Sequence, residues 1–502
     1  MIFRAVACNK PVFYVRIAAN VNNYFIIPEV VMIQEKDLPK KYKQAMKELL
    51  ADDYDAYIAS LDEKPYLGIR TNLLKLNSEE LKTLLDRDFK NIPWAREGFY
   101  FEEEKGRIIT PCLNSYEKIK SISKNPYYFA GLYYIQEPSA MTTAIVADIK
   151  PGDRVLDLCA APGGKSTQAA SYLGGEGLLV SNDFSASRVK ALQKNIEVSG
   201  IDNVLITNED PKNLAKVYVD YFDKIIVDAP CSGEGMFRRD NAVFKAYLNR
   251  GPENFTALQV SILNEAAKML KPGGSLIYST CTYSKTEDEG SLKDFLNNHS
   301  DFKVDPIRVD FGFEESSELP GTVRLFPHKL KGEGHFVARL KKDIVDTKLV
   351  LKEGKNKKHK KNVRTQKTPQ ELLDFLKKVK RDWDYDRIFI NRDYAYYLPK
   401  DALIDSGLHY IRTGLLLGEL KKNRFEPFQA FAMNIKFEEW ENPLNLKGDD
   451  ERVIKYLKGE TIEADDEYSG IRLLCVDGFS LGFVKQSKTT CKNKYYQGWR
   501  WM

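Results

Sequence analysis

The chain has 502 residues, 43% apolar, 12% aromatic and 29% charged, enough for roughly two to four folded domains at ~150 residues each. No stretch reaches the ~18 consecutive apolar residues of a membrane-spanning helix. Arg4, Lys10 and Arg16 break the apolar start, which does not read as a secretory signal. Seven scattered cysteines with no Cys-x-x-Cys pair argue against a disulfide framework or zinc ribbon and fit a reducing cytoplasm.

Residues 1–31 match no pattern and stand as an unassigned extension, with Met32 as an alternative start. Residues 32–150 read as a mixed α/β module, with a strand at 67–74 and a capped helix at 78–87. From 151 to 340, β-branched runs alternate with amphipathic stretches. The expected strands are 154–158, 178–182, 203–208, 224–228 and 275–280; 185–200 and 255–270 read as helices, the latter closed by LysProGlyGly (271–274). Such alternation predicts a doubly wound, mostly parallel sheet with its chemistry at the strand C-terminal ends.

The net charge of +5 is concentrated in the next segment. Residues 341–364 hold ten Lys or Arg against Asp343, Asp346 and Glu353, a net +7 that leaves the remainder of the chain at −2. The linker 341–368 is a solvated spacer or a flexible phosphate-binding arm, and both readings suit the same residues. After it, 369–430 opens with a helix at 370–379, and 431–502 closes with short strands around Gly470, Gly478 and Gly482.

Strand 154–158 runs into Cys159, Ala160, Ala161, Pro162, Gly163, Gly164 and Lys165. A phosphate-binding P-loop would need glycine where Cys159 stands, and no Gly-x-Gly of a dinucleotide fingerprint occurs here. What remains is a strand–loop–helix whose small residues let backbone amides approach a cofactor. Asp183, at the next strand tip, is placed for two ribose hydroxyls, and Asp210, after the third, for an adenine amino group. A carboxylate after each of three strands suits an adenosine cofactor without phosphates, S-adenosylmethionine. Any one of these aspartates could be an ordinary turn residue.

The fourth strand delivers AspAlaProCysSerGly (228–233) and the fifth SerThrCysThrTyrSer (279–284). A buried cysteine is usually only a small apolar core residue, but two at adjacent strand tips beside a cofactor loop suggest chemistry. Cytosine C5 is a poor nucleophile until a thiolate adds to C6, after which C5 can attack a methyl sulfonium. Asp228 is placed to hold N3 and the amino group of a flipped base.

CysAlaAlaProGlyGlyLys (159–165), AspAlaProCysSerGly (228–233) and SerThrCysThr (279–282) resemble the signature motifs of the Sun-type RNA cytosine-5 methyltransferases. TyrTyrIleGlnGluProSerAla (133–140), LysProGlyGly (271–274) and PheProHisLysLeuLysGlyGluGlyHisPhe (326–336) match the same family, from about residue 38 onward. The resemblance implies Cys281 as nucleophile, Cys231 in product release, Asp228 in base positioning, and cofactor contacts from 159–165, Asp183, Arg188, Asp210 and Asp228. Ser232 after Cys231, where DNA enzymes carry Gln, favours RNA. Two departures stand out: LysThrGluAspGluGly (285–290) replaces a GluGlu-Asn-Glu pattern, and AspPro (210–211) replaces Asp-Gly.

The C-terminal part resembles the RNA-binding extension of the bacterial 16S ribosomal-RNA subgroup, through 412–419, 424–427 and 492–496. It implies a ferredoxin-like module (369–430) and a PUA-like RNA-binding module (431–502), with 32–150 a further RNA-binding module. Lys485, Lys488, Lys492, Lys494 and Arg500 interleave with Tyr495, Tyr496, Trp499 and Trp501, as an RNA surface or as the module's own core. His328 and His335 lack metal-ligand spacing, so no metal is expected.

The expectation is an α/β protein: a Rossmann-like methyltransferase sheet (151–340) between an α/β module and the two C-terminal modules. It would act in the cytoplasm as a monomer on ribosomal RNA or the small ribosomal subunit, away from membranes. Transfer RNA as substrate, or a non-catalytic assembly factor, are the alternatives. Removing 369–502 should cost substrate selection more than catalysis.

Overall fold

The computed structural model describes residues 33–101, 122–344 and 367–501. The 1–31 extension and nearly all of the basic segment therefore lie outside the described residues. No helix among the described residues is long and apolar enough to cross a membrane.

The first module begins with helices Lys40–Leu50 and Tyr54–Ser60. An antiparallel sheet follows, ordered Lys90–Ile92, Ala95–Phe101, Leu67–Thr71, Tyr133–Gln136. The helix expected at 78–87 spans Ser78–Leu85. Its cap is Asn77, whose side chain accepts from Glu79 N and Glu80 N while Glu80 reaches back, so two orphan amides are satisfied reciprocally.

The central sheet has ten strands. Its parallel core is β1 (Arg154–Asp157), β2 (Leu178–Asn182), β3 (Val204–Thr207), β4 (Phe222–Asp228) and β5 (Leu270–Thr280), ordered β3-β2-β1-β4-β5. β5 starts earlier than expected because Leu270 already pairs with Phe222 across an irregularity in register. Beyond β5 the sheet continues antiparallel through β6 (Val323–Leu325) and β7 (His335–Lys342), with β7 next to β5. The core strands are continuous apolar runs because helices cover both faces. α1 (Gly164–Leu173) and α2 (Val189–Val198) lie on one face, with Ala170, Leu173, Leu192 and Ile196 in its core. α3 (Pro211–Val217) and α4 (Thr256–Met269) lie on the other, with Leu214, Leu263 and Ala266. Strand order reverses between β1 and β4, and there the crevice beyond the strand ends opens.

Three expectations for the C-terminal half need correction. The stretch 369–430 is not ferredoxin-like. Strands Ile388–Asn391, Tyr394–Tyr397, Leu415–Lys421 and Arg424–Pro427 lie side by side in that order, all antiparallel and with no helix between them, the strand Tyr410–Thr413 between the second and third going to another sheet. A split βαβ arrangement needs crossover helices between its strands, and none lies between these. Second, β8 (Tyr410–Thr413) leaves that module and pairs antiparallel with β3, so the central sheet runs beyond 340. Third, the closing strands are long: Ile462–Val476 and Phe479–Asn493 form one hairpin of 15-residue strands. Gly482 lies within the second because a Cβ there would sit 2.2 Å from the Tyr456 hydroxyl. Gly478, at φ 84°, makes the turn.

Candidate active site

Each element of the site comes from a strand end. After β1 the chain is drawn across the sheet, Leu158 N donating to Ile226 O (2.9 Å) and Ala160 N to Asn182 O (2.8 Å). Gly163 starts α1 at φ 113°, and a Cβ there would meet Leu192 at 3.2 Å, so helix packing and backbone both demand glycine. Asp183, 3% exposed, accepts from Ala161 N (3.1 Å) and Ser185 N (2.9 Å), with Arg188 Nη1 3.6 Å away. Arg188 also donates to Ala161 O. Asp210 caps α3, one oxygen accepting from Lys212 N at 2.8 Å.

Lys165 and Asp228 form the charged centre, Nζ to Oδ2 2.7 Å apart, and Ser279 Oγ donates to Asp228 Oδ1 at 2.9 Å. Burial works against the Asp228 carboxylate, but Lys165 outweighs it and the pKa falls below its ordinary value. The same contest ends with the Lys165 pKa raised, Asp228 overcoming burial. The loop's cation is thus already neutralised, and carboxylate acceptors at the strand ends suit the hydroxyls and amino group of an uncharged adenosine better than a phosphate. Beneath it, burial pushes the Asp157 carboxyl up to about 7, although Ser166 Oγ donates to it at 2.7 Å. Burial, then Asp183, push the Cys159 thiol up, which leaves it a packing group.

The two strand-tip thiols face each other. Cys231 Sγ and Cys281 Sγ are 3.3 Å apart. Their loops are tied together by Ser232 Oγ and Thr282 Oγ1 (2.8 Å) and by Gly235 N donating to Cys281 O (2.9 Å). The hydrogen bond to Cys281, then burial, push the Cys231 thiol well up, so it stays protonated and can donate to the Cys281 sulfur.

Four family models match this chain in succession. They are the N-terminal domain of 16S rRNA methyltransferase RsmF (38–138), 16S rRNA methyltransferase RsmB/F (144–341), the RsmF first C-terminal domain (374–435) and the RsmF PUA domain (443–501). The ribosomal RNA small subunit methyltransferase F of Shewanella oneidensis is 30% identical over 88% of this chain and 92% of its own. The chain belongs to the RsmF family. The Erwinia tasmaniensis member is 28% identical over 91% of this chain and 95% of its own length. Among solved structures, PH0851 is similar at 28% identity and TM-score 0.53, covering 61% of this chain and 66% of its own. NSun6 from Pyrococcus horikoshii with SFG has the same fold at 24% identity and TM-score 0.52, over 61% of this chain and 98% of its own.

In this RsmF-family chain the structure brings Cys231, Cys281, Asp228 and Lys165 together, with 159–163, Asp183 and Arg188 in the adjoining loop. Asp210 lies on the next turn outward, engaged as a helix cap. Several supporting groups were invisible in the sequence. Arg70, 1% exposed and from the first module, reaches α1: its Nη2 donates to Thr167 Oγ1 (2.7 Å) and Gly164 O (3.1 Å), its Nε to Gln136 Oε1 (2.9 Å). Glu287 Oε2 accepts from Ser232 N (2.9 Å) and Gln259 Nε2 (3.0 Å), holding the Cys231 loop; burial pushes its carboxyl up to about 7. Glu234 Oε2 accepts from Tyr283 N (3.0 Å) beyond Cys281. His335 Nε2 lies 3.1 Å from Thr143 Oγ1, and burial, then Lys165, lower its pKa to about 4. The one signal for these was the acidic run 287–289, too polar for the helix face it occupies.

The aromatics of the last segment divide. Tyr495 and Trp499 are core, and Trp501 stacks on Phe129 at 6.0 Å. Tyr496 is exposed, as are Lys485, Lys488 and Lys492. Lys494 pairs with Glu426 at 2.8 Å. Among the described residues, no group of three or more His, Cys, Asp or Glu side chains gathers as metal ligands would.

Proposed function

We propose that this chain methylates C5 of a cytosine in 16S ribosomal RNA, with S-adenosylmethionine as methyl donor and Cys281 as nucleophile. The observation that carries this reading is the pair of sulfurs 3.3 Å apart on neighbouring strand ends, beside the Lys165–Asp228 ion pair. The residues fit the cofactor: small side chains at 159–163, a buried Asp183 beside them, and no uncommitted cation in the loop. When bound, S-adenosylmethionine supplies the methyl group.

Asp228 holds N3 and the amino group of the extruded base, with Ser279 and Lys165 keeping the carboxylate oriented. The Cys281 thiolate adds to C6, which makes C5 nucleophilic toward the methyl carbon. A water molecule takes the C5 proton, which restores the C5–C6 double bond and expels the Cys281 sulfur. Cys231, held as the thiol against that sulfur, can return a proton to it as it leaves, which is a role in product release. Residues 32–150 and 431–502 are read as RNA-binding modules flanking the catalytic one, and the substrate is met in the cytoplasm as free RNA or as the small subunit.

The test is incubation of purified chain with S-adenosylmethionine and 16S RNA, small subunits or tRNA, followed by bisulfite sequencing and a denaturing gel. Cys281→Ala should give neither 5-methylcytosine nor an adduct. Cys231→Ala should accumulate a covalent RNA–protein band. An adduct in Cys281→Ala instead reverses the roles, and methylation of tRNA in preference to 16S RNA overturns the substrate.

A further inference from the structure

The turn that carries Asp210 is not built by the catalytic unit alone. Asn208 N donates to His409 O at 3.1 Å, and His409 N donates to Glu209 Oε1 at 2.7 Å. Glu209 Oε2 accepts from Asn213 Nδ2 at 2.9 Å, so its carboxylate is held between α3 and the segment leading into β8. The same turn is tied inward to the Asp183 turn. Asn208 Nδ2 donates to the carbonyls of Asp183 (2.7 Å) and Phe184 (2.9 Å). Asn182 grips the Glu209 backbone at both ends of its amide, at 3.0 Å each. The turns bearing Asp183 and Asp210 thus form one hydrogen-bonded unit, closed on its outer side by a residue 200 positions further along the chain.

The closure is continuous with the sheet. Tyr410 and Thr413 pair with Thr207 and Leu205, Gly414 N donates to Val204 O (2.8 Å), and Tyr218 Oη donates to Leu403 O (2.9 Å). Without β8 the edge of β3 would present unpaired amides and carbonyls up to the turn itself. Glu209 has no ion pair among the described residues, so the backbone N–H of His409 and the Asn213 amide are what orient it.

We infer that the backbone at 408–410 closes the outer side of the cofactor site, and that the His409–Glu209 contact is a positioning element for the Asp210 turn. This rests on the reading of Asp183 and Asp210 as cofactor contacts. Glu209 need not touch the cofactor; it sets the backbone from which Asp210 projects. The C-terminal half, besides meeting RNA, therefore governs cofactor affinity.

Full-length variants test this by calorimetric titration with S-adenosylmethionine, with KM and kcat measured separately and melting temperatures alongside. Glu209→Ala removes the acceptor and His409→Pro removes the donor. Each should weaken cofactor binding about tenfold, the size of one charge-assisted hydrogen bond, with the loss falling on KM for the cofactor. Glu209→Gln keeps an acceptor and should restore most of the affinity. Arg412→Ala frees β8 from Glu197 of α2, away from the turn, and should lower the melting temperature with affinity unchanged. If His409→Pro does not fold, the Glu209 pair decides. A wild-type chain that binds while Glu209→Ala binds equally well overturns this inference alone, as does an equal loss in Arg412→Ala. A wild-type chain that binds no S-adenosylmethionine overturns the cofactor reading together with it.

Discussion

Cys231 and Cys281 carry the same group on equivalent strand ends, and their surroundings separate them. The Cys231 thiol is pushed up by its neighbour and by burial, while Lys165 lies close enough to Cys281 for the two to interact. The proposed reaction needs a proton donor beside the sulfur that adds and leaves, and Cys231 is placed to be that donor. Asp157, directly below, offers a test by pH. Its folded-state pKa of about 7 stands above the ordinary 3.8, so between those values the folded chain keeps a proton that the unfolded chain has lost. Its contribution to stability is complete below pH ~4 and is lost as pH rises through about 7. Asp157→Asn should therefore lose less melting temperature than wild type between pH 5 and pH 8. Parallel melting curves for the two proteins would disprove the shift.

The segment 286–290, one π-helical turn, buries Glu287, Asp288 and Glu289 almost completely. Three adjacent buried carboxylates are tolerable only if their charge is managed. Arg324, from β6, donates to Asp288 Oδ2 at 3.1 Å and to Glu289 Oε2 at 2.5 Å. Burial pushes Asp288 well up; for Glu289 burial is outweighed by Arg324 and the pKa falls. One cation, one anion and one neutral acid result, and Glu287 is left to hold Ser232. Arg324→Met should strand a buried charge and cost about 3–5 kcal/mol. Adding Glu289→Gln should recover part of that loss, because both charges are then gone. Chemical denaturation of the three proteins measures this, and additive losses in the double variant would count against a coupled pair.

Across the whole molecule the catalytic sheet is supported from both sides. The first module enters through Arg70 on α1, and through Ser60 O, which accepts from Arg238 Nη1 at 2.6 Å. Arg238 also pairs with Glu333 (2.5 Å) and donates to Gly332 O (2.9 Å), linking the 326–336 motif to the same point. The second C-terminal contribution, β8, changes what truncation means. Removing 369–502 takes a strand from the catalytic sheet, so loss of selection would not be its main effect. A chain ending at residue 344 should expose β3, with its apolar Val204, Leu205 and Ile206, as an open edge. We expect it to self-associate in size-exclusion chromatography where the full chain does not. A well-behaved monomer would show that β8 is dispensable to the sheet.

The residues of the proposed site could be placed from the sequence because their positions depend on local pattern. A β-branched run ends, the chain turns, and in a parallel sheet all such ends emerge on one edge. Cys159 to Lys165, Asp183, Asp228, Cys231 and Cys281 therefore come together whatever else the chain does. Asp210 was legible as a strand-end carboxylate, but its capping of α3 depends on the AspPro turn. The supports were not legible, since they are contacts between distant segments: Arg70 to Thr167, Arg324 to Asp288, His409 to Glu209. Nothing in the pattern around β8 says that it will leave its own module for the edge of another sheet. Composition alone cannot distinguish Tyr495 and Trp499, which fill a core, from Tyr496, which stays in water; burial makes that distinction. Hydrophobic period and turn chemistry act over a few residues and set which groups reach the strand ends. The partners that fix charge, close edges and exclude water are selected only when the chain has collapsed, because a long-range contact must outweigh the entropy of closing the loop between its ends.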